Sequence, residues 1–345
     1  MSIIIAIFIF GLIIIFHEFG HCIVAKKNGI RVEEFCIGLG PTLFGVQKGE
    51  TKYSVKLLPF GGACIMTGEE GDSDDERAFC NKSVWARIAV VFAGPGFNFI
   101  LAFFLALILI GCIGIDKPFV ASVTEGSAAD AAGLQAGDRI VELDGHSVRV
   151  YREISNYLTL NPSKVDDELT IVYERDGETY TTSLTPVYDE EDGKYYMGFS
   201  GGTRTRIGPF EVIGYSLYEV KYWINITVDS LRLIFTGGVS VSEVSGPVGI
   251  VDTIGSTYRE SVAISYFAAF INMVNISILL TANLGVMNLL PIPALDGGRL
   301  VFLIIEVFRR KRMDPDKEGM VHFVGLMILL GLMIVIMVHD VYKLF

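Results

Sequence analysis

His17-Glu18-Phe19-Gly20-His21 reads H-E-x-x-H, and it lies in an almost unbroken apolar run from Ile3 to Ala25. Each helical residue advances about 100°, so histidines four apart share one face, a turn apart. Both imidazoles can then reach one Zn²⁺, with Glu18 beside them to take a proton from a water. Zinc brings the pKa of such a water toward ~7, so hydroxide becomes available at neutral pH. So short a motif also arises by accident in soluble helices. Accident is the weaker account here, because a charged side chain at the centre of a membrane span costs roughly 2.5–3.5 kcal/mol. Partners or a metal must offset that cost.

A catalytic zinc usually takes three protein ligands and keeps one position open. The third must come from elsewhere in the chain. His146 falls in a polar segment, and His322 and His339 flank the last apolar run. His322 lies on the same side as the motif and reads most simply as an interfacial histidine. Asp296 is an acid inside an apolar segment, directly after the proline-broken Asn288-Leu289-Leu290-Pro291-Ile292-Pro293-Ala294-Leu295. Non-helical backbone at membrane depth must be buried in protein or line a wet cavity, which favours Asp296 as a ligand. Its other reading is a helix N-cap ahead of Gly297-Gly298-Arg299.

The elements that must position these residues are mostly apolar. Of 345 residues 51% are hydrophobic, and the mean hydropathy is +0.48, which fits several membrane spans rather than a soluble domain. A net charge of −11 argues against nucleic acid as a partner. The five cysteines (Cys22, Cys36, Cys64, Cys80, Cys112) all lie in the first third with no C-x-x-C, so no disulfide framework is expected. The N-terminal run lacks a basic leader and a small-x-small cleavage site, and it reads as retained.

Spans are expected at residues 3–25 and 88–115, from 266 through a broken continuation to 308, and at 321–339. The loop region 30–87 carries a half-exposed strand at Tyr53–Leu57, a break at Pro59–Gly62 and a possible hairpin partner at Ala63–Met66. The acidic run Glu69–Glu76 lacks EF-hand spacing and reads as solvated. Gly94-Pro95-Gly96 and Asn98 sit inside the second span, where small residues allow close helix approach and Asn98 suits an interhelical hydrogen bond. Residues 116–190 have the turn and strand pattern of a small soluble domain, with Asp176-Gly177 as a hairpin signal. Residues 191–265 read as a linker, an amphipathic helix over 210–236 and a loop at 245–249; residues 266–345 complete the membrane part. Nine Lys/Arg between Lys26 and Arg87, and five in 306–319, put those loops in the cytoplasm. The 116–190 domain is then extracytoplasmic, and the histidine pair lies near the cytoplasmic side.

The chain resembles the site-2 protease family of intramembrane zinc metalloproteases, in its bacterial branch with a single PDZ domain. The resemblance rests on His17-Glu18-Phe19-Gly20-His21, Gly94-Pro95 with Asn98, Gly246-Pro247-Val248-Gly249, and Asn288 through Gly298. Ala128-Ala129, Ala132-Gly133-Leu134, Gly137-Asp138-Arg139-Ile140 and Asp144-Gly145 carry the PDZ likeness. It implies a multi-pass membrane protein: a four-transmembrane-helix metalloprotease core with a membrane-associated β-hairpin and an inserted extracytoplasmic PDZ domain of α+β type. It also implies Zn²⁺ held by His17, His21 and Asp296, with Glu18 as general base. Asn288, with Asn98 and the hairpin residues Tyr53, Val55 and Leu57, is expected to bind substrate, the hairpin edge pairing with an unwound strand. Implied partners are the lipid bilayer and single-pass membrane proteins, either trimmed anti-sigma factors or signal-peptide remnants, cut in a bacterial cytoplasmic membrane.

Two other classes remain open. A membrane scaffold with structural zinc would need four closing ligands, and three good ones are present. A transporter built on broken helices would show an internal repeat, and none is seen.

Overall fold

In the computed structural model, residues 2–69, 71–190, 194–237 and 245–344 are described. The chain opens with helix α1 (Ser2–Lys27), strands β1 (Val32–Lys48) and β2 (Thr51–Met66), and helix α2 (Val84–Ile113). It continues through β3 (Ile115–Asp116), β4 (Val120–Val123), α3 (Ala128–Ala131), β5 (Arg139–Leu143), β6 (His146–Ser147) and α4 (Tyr151–Leu160). Strands β7 (Leu169–Arg175), β8 (Glu178–Leu184), β9 (Val187–Asp189), β10 (Lys194–Tyr196), β11 (Phe199–Gly201) and β12 (Arg204–Thr205) follow. Helices α5 (Pro209–Thr236), α6 (Pro247–Ile264), α7 (Tyr266–Leu289), α8 (Asp296–Arg309) and α9 (Pro315–Leu344) close the chain. Contacts divide it into two compact units: one holds α1, β1, β2, most of α2, the middle of α5 and α6–α9, and the other spans Leu107–Ser216 with the end of α5.

Among the described residues, four helices are long and apolar enough to cross a membrane: α1, α2, α7 and α9. The expected third span, 266–308, is two helices. Pro291 and Pro293 have no N–H to give, so α7 stops at Leu289 and α8 starts at Asp296. Residues 247–264, which carried no helix signal of their own in the sequence, form α6 with Pro247 in its first turn.

In the first unit α1 is the common partner. Ala6, Ile9 and Ile13 pack with Leu101 of α2 and Ile254 of α6, while Cys22 and Ala25 pack with Val90, Val91, Phe35, Cys64, Met66 and Leu303. Between lipid-immersed helices packing replaces water exclusion as the driving force, so small residues decide the approach. A Cβ on Gly20 would overlap the Ala93 carbonyl of α2, so glycine is what lets the two helices meet there.

The hairpin differs from the expected one. The turn is at Gly49-Glu50, and β2 runs from Thr51 to Met66 straight through Pro59–Gly62. Both strands bend, so the first half of β1 has β2 residues on both flanks. Phe35 is level with Cys64 on one side and Tyr53 on the other, and Ile37 with Gly62 and Val55. A local sequence pattern cannot show this, because the pairing is set by residues some 30 positions apart. The distal half presents Leu39, Leu43, Phe44 and Val46, all more than 40% exposed, an apolar surface that suits contact with a bilayer.

The second unit is a small α+β domain with an antiparallel four-stranded sheet in the order β6-β5-β7-β8. Asp176 and Gly177 turn β7 into β8 with φ of 53° and 84°, as that residue pair predicts. Its core gathers Val120, Ile140, Leu143, Leu169 and Ile171 with Tyr157 of α4. Burial of each large aliphatic there contributes about 1.5–3 kcal/mol. The expected boundary at 190 falls short: β11 pairs with β4 and β12 with β3, so the sheet structure runs to Thr205. These strands are two or three residues long, too short for a periodic signal, and residues 191–193 of the same segment lie outside the described residues.

Candidate metal centre

On α1 the i, i+4 spacing puts His17 and His21 one above the other, both 8% exposed. The α7–α8 break brings Asp296 to them from the opposite end of the sequence. Asp296 Oδ2 lies 3.2 Å from His17 Nε2 and 3.4 Å from His21 Nε2. The two Nε2 atoms are 3.3 Å apart. These three residues can offer one ligand atom each from a cluster under 4.8 Å across, and they form the only such group among the described residues.

The hydrogen bonds behind the rings set which nitrogen is free. His21 Nδ1 donates to the Val90 carbonyl at 2.8 Å, which leaves Nε2 as a lone pair facing the cluster. His17 Nδ1 is 3.2 Å from the Asn98 carboxamide nitrogen. Turning that amide over brings Asn98 Oδ1, which has no partner among the described residues, against the His17 Nδ1–H. Both rings then aim a lone pair inward. Asp296 Oδ2 is buried and has no hydrogen-bond partner among the described residues. Two imine nitrogens and a carboxylate oxygen at such distances repel unless a cation lies among them, and two nitrogens with an oxygen suit zinc.

Gly94 explains why the motif on α2 needs glycine. A Cβ there would overlap His21 Nε2 and stand 2.8 Å from His17 Cε1. Gly94→Ala should therefore displace both rings. We expect zinc affinity to fall at least ~10-fold, within the 10–100-fold range seen when groups that orient ligands are altered. Helix propensity alone would stabilise the variant by about 1 kcal/mol. A competitive chelator titration checks this; unchanged affinity in a more stable variant would remove the steric argument.

Glu18 faces the β-loop. Its Oε2 accepts the Cys64 backbone N–H at 3.0 Å, so that amide points at Glu18 instead of into the ladder with β1. The same strand end is tied to α8. Glu69 accepts the Met66 N–H through Oε2 and pairs through Oε1 with Arg299, three residues after Asp296. Asp72 pairs with Arg312 at 2.8 Å. The acidic run is solvated at Asp72, Asp74 and Glu76, as expected, and Glu69 is drawn in as a tether; Glu70 lies outside the described residues.

The profile of peptidase family M50 matches residues 5–332. The chain belongs to peptidase family M50. A Clostridium acetobutylicum protein provisionally named a zinc metalloprotease is 38% identical over 99% of this chain and 97% of its own length. The zinc metalloprotease RasP of Bacillus licheniformis is 31% identical over 98% of each chain. The regulator of sigma-W protease RasP of Bacillus subtilis is 30% identical, again over 98% of each. A PDZ domain of an SdrC-like protein from Listeria innocua is 28% identical, covering 27% of this chain and all of that one, with a TM-score of 0.23. This M50 chain is a zinc metalloendopeptidase of the site-2 protease type, and its four apolar helices make it an integral membrane protein.

Three expected substrate contacts of the M50 chain, Asn98, Tyr53 and Val55, sit differently from the expectation. Asn98 is fully buried behind His17, against whose ring its carboxamide lies, and its own carbonyl accepts from Thr281, so no part of it is exposed in this structure. Tyr53 and Val55 lie inside the folded sheet. Tyr53 is level with both Phe35 and Val46, and Val55 with both Ile37 and Phe44, so neither has a free backbone edge. Tyr53 and Val55 therefore present their side chains, the residues being 38% and 44% exposed, and Leu57 is 53% exposed. The edge nearest Glu18 is instead Gly62–Met66. Asn288 does reach the cluster, with Nδ2 3.5 Å from His17 Nε2.

Proposed function

We propose that this M50 zinc metalloprotease cuts the transmembrane segment of membrane-anchored proteins, with Glu18 as general base and His17, His21 and Asp296 as the zinc ligands. The observation that carries the reading is the convergence of those three ligand atoms, two on a span-length helix and one just past the broken end of another, with a strand edge beside Glu18. When bound, zinc supplies Lewis acidity toward the scissile carbonyl and acidifies water. Glu18 accepts the proton of the attacking water and delivers it to the departing amine as the C–N bond breaks.

A membrane helix hides its peptide bonds, so the substrate must unwind before attack. The outer edge at Gly62–Met66 offers backbone groups to replace the helical hydrogen bonds that are lost. The Cys64 amide would then exchange Glu18 for a substrate carbonyl, which frees the carboxylate for proton transfer. Asn288, beside His17, is placed to bind substrate backbone next to the scissile bond. Tyr53 and Val55 contribute side-chain contacts only, and Leu57 lies exposed on the same strand.

Basic residues in 26–87 and 306–319 support a cytoplasmic position for those loops and a site near the cytoplasmic side of a bacterial inner membrane. The PDZ-like domain would then be extracytoplasmic. One relative is named as a regulator of sigma-W protease, which supports trimmed anti-sigma factors as substrates, with signal-peptide remnants as the second class.

The test is a detergent-solubilised protein with a reporter carrying one transmembrane segment. Mass spectrometry should find a cut inside that segment, lost with a zinc chelator and restored by zinc. Cleavage confined to soluble flanks, or indifferent to chelation, would contradict the proposal.

A further inference from the structure

Asp296 is delivered by six residues without helix, Leu290–Leu295, and what fixes them is only partly local. The N–H groups of Leu290 and Leu295 bond to Met287 and Ile292, and that of Ile292 bonds to Leu290. Pro291 and Pro293 have none to give. The Ala294 N–H leaves the segment altogether and donates to Nδ1 of His322, on α9, at 2.9 Å. Ala294 has φ of 78°, a left-handed conformation that a residue with a Cβ adopts only when its surroundings impose it.

A second contact from the same face of α9 supports the turn. Gly325, three residues after His322, lies so close to Pro293 that a Cβ there would overlap its ring and stand 2.7 Å from its carbonyl oxygen. The His322 ring also packs against Phe302 of α8, with centroids 5.5 Å apart. His322 therefore touches the turn before Asp296 and the helix that begins with it. Because Nδ1 accepts, the ring proton is on Nε2, which lies 3.9 Å from Glu318.

We propose that His322 is a positioning residue for the metal centre: its Nδ1 holds the Ala294 amide, fixing the left-handed turn that aims Asp296 at His17 and His21. The sequence gives His322 an interfacial role, with no hint of this one, because the partner is a backbone amide 28 positions away. The inference rests on the zinc site assigned above, and its test separates the two.

Three variants of the full-length protein in detergent distinguish an acceptor from a packing role. His322→Asn places a carboxamide oxygen near the Nδ1 position. His322→Gln carries its oxygen further out, near the Nε2 position, and His322→Phe keeps the ring without any acceptor. Zinc affinity is read by titration against buffered free zinc, and kcat and KM on the reporter. We expect Gln and Phe to lose 10–100-fold in zinc affinity, as loss of a ligand-orienting group does, with kcat measured at limiting zinc falling and KM steady. Asn should stay within about threefold of the parent on both readouts. If Phe does not fold, the Asn–Gln pair alone decides. Gln equal to the parent, or Asn as defective as Gln, overturns the role of His322. A parent protein that fails to bind zinc overturns the site itself.

Discussion

Glu18→Gln should lower kcat by about 10²–10⁴-fold, the usual contribution of a positioned general base, while one zinc per chain is retained. Glutamine keeps an acceptor for the Cys64 amide, so the 3.0 Å bond between α1 and the β-loop survives the substitution. What is lost is the ability to take a proton from water and give it to the leaving amine. KM should therefore change little, because the strand edge proposed to meet the substrate is untouched. Kinetics on the single-span reporter, with metal analysis of the same preparation, check both halves. A variant that turned over at the parent rate would remove Glu18 from proton transfer.

Asp296→Ala has the other large expected effect, on the metal instead of the proton. Loss of a group that merely orients a ligand costs 10–100-fold in affinity, so removal of a direct ligand must cost more. The fold should suffer much less. Asp296 is the acid in the first turn of α8, a position worth about 0.3–1 kcal/mol through the helix dipole. Zinc binding and thermal stability should thus separate sharply. Comparable damage to both would mean that Asp296 acts mainly by stabilising the start of α8, where Leu295 and not Asp296 occupies the cap position expected as the alternative.

The parts of this molecule legible in the sequence are those with a strong local signature. H-E-x-x-H in an apolar run places two ligand atoms on one helix face, and two prolines ahead of Asp296 announce a break at membrane depth. Span-length apolar runs locate the four long helices, although the third, expected to continue to 308, ends at Leu289 and the fourth begins six residues earlier, at Pro315. Features that depend on distant partners are not legible. The double pairing of Phe35, the two-sided pairing of Tyr53 and Val55, and the contact of Asn98 with His17 join positions from 7 to 81 apart. The acidic run illustrates the limit. Its composition suits water, where Asp72, Asp74 and Glu76 stay, and only the three-dimensional neighbourhood of Arg299 turns Glu69 into a tether. Gly94 stands between these cases: the sequence marks close approach on α2, and the structure adds that the approaching groups are the two imidazoles.

The most direct test of the central claim is zinc K-edge X-ray absorption on the purified, zinc-loaded protein. One ion per chain should show two imidazoles and oxygen neighbours at about 2.0–2.2 Å, with no sulfur, despite the nearby thiols of Cys22 and Cys64. A sulfur shell at about 2.3 Å, or a site with a single imidazole, would contradict a centre built from His17, His21 and Asp296.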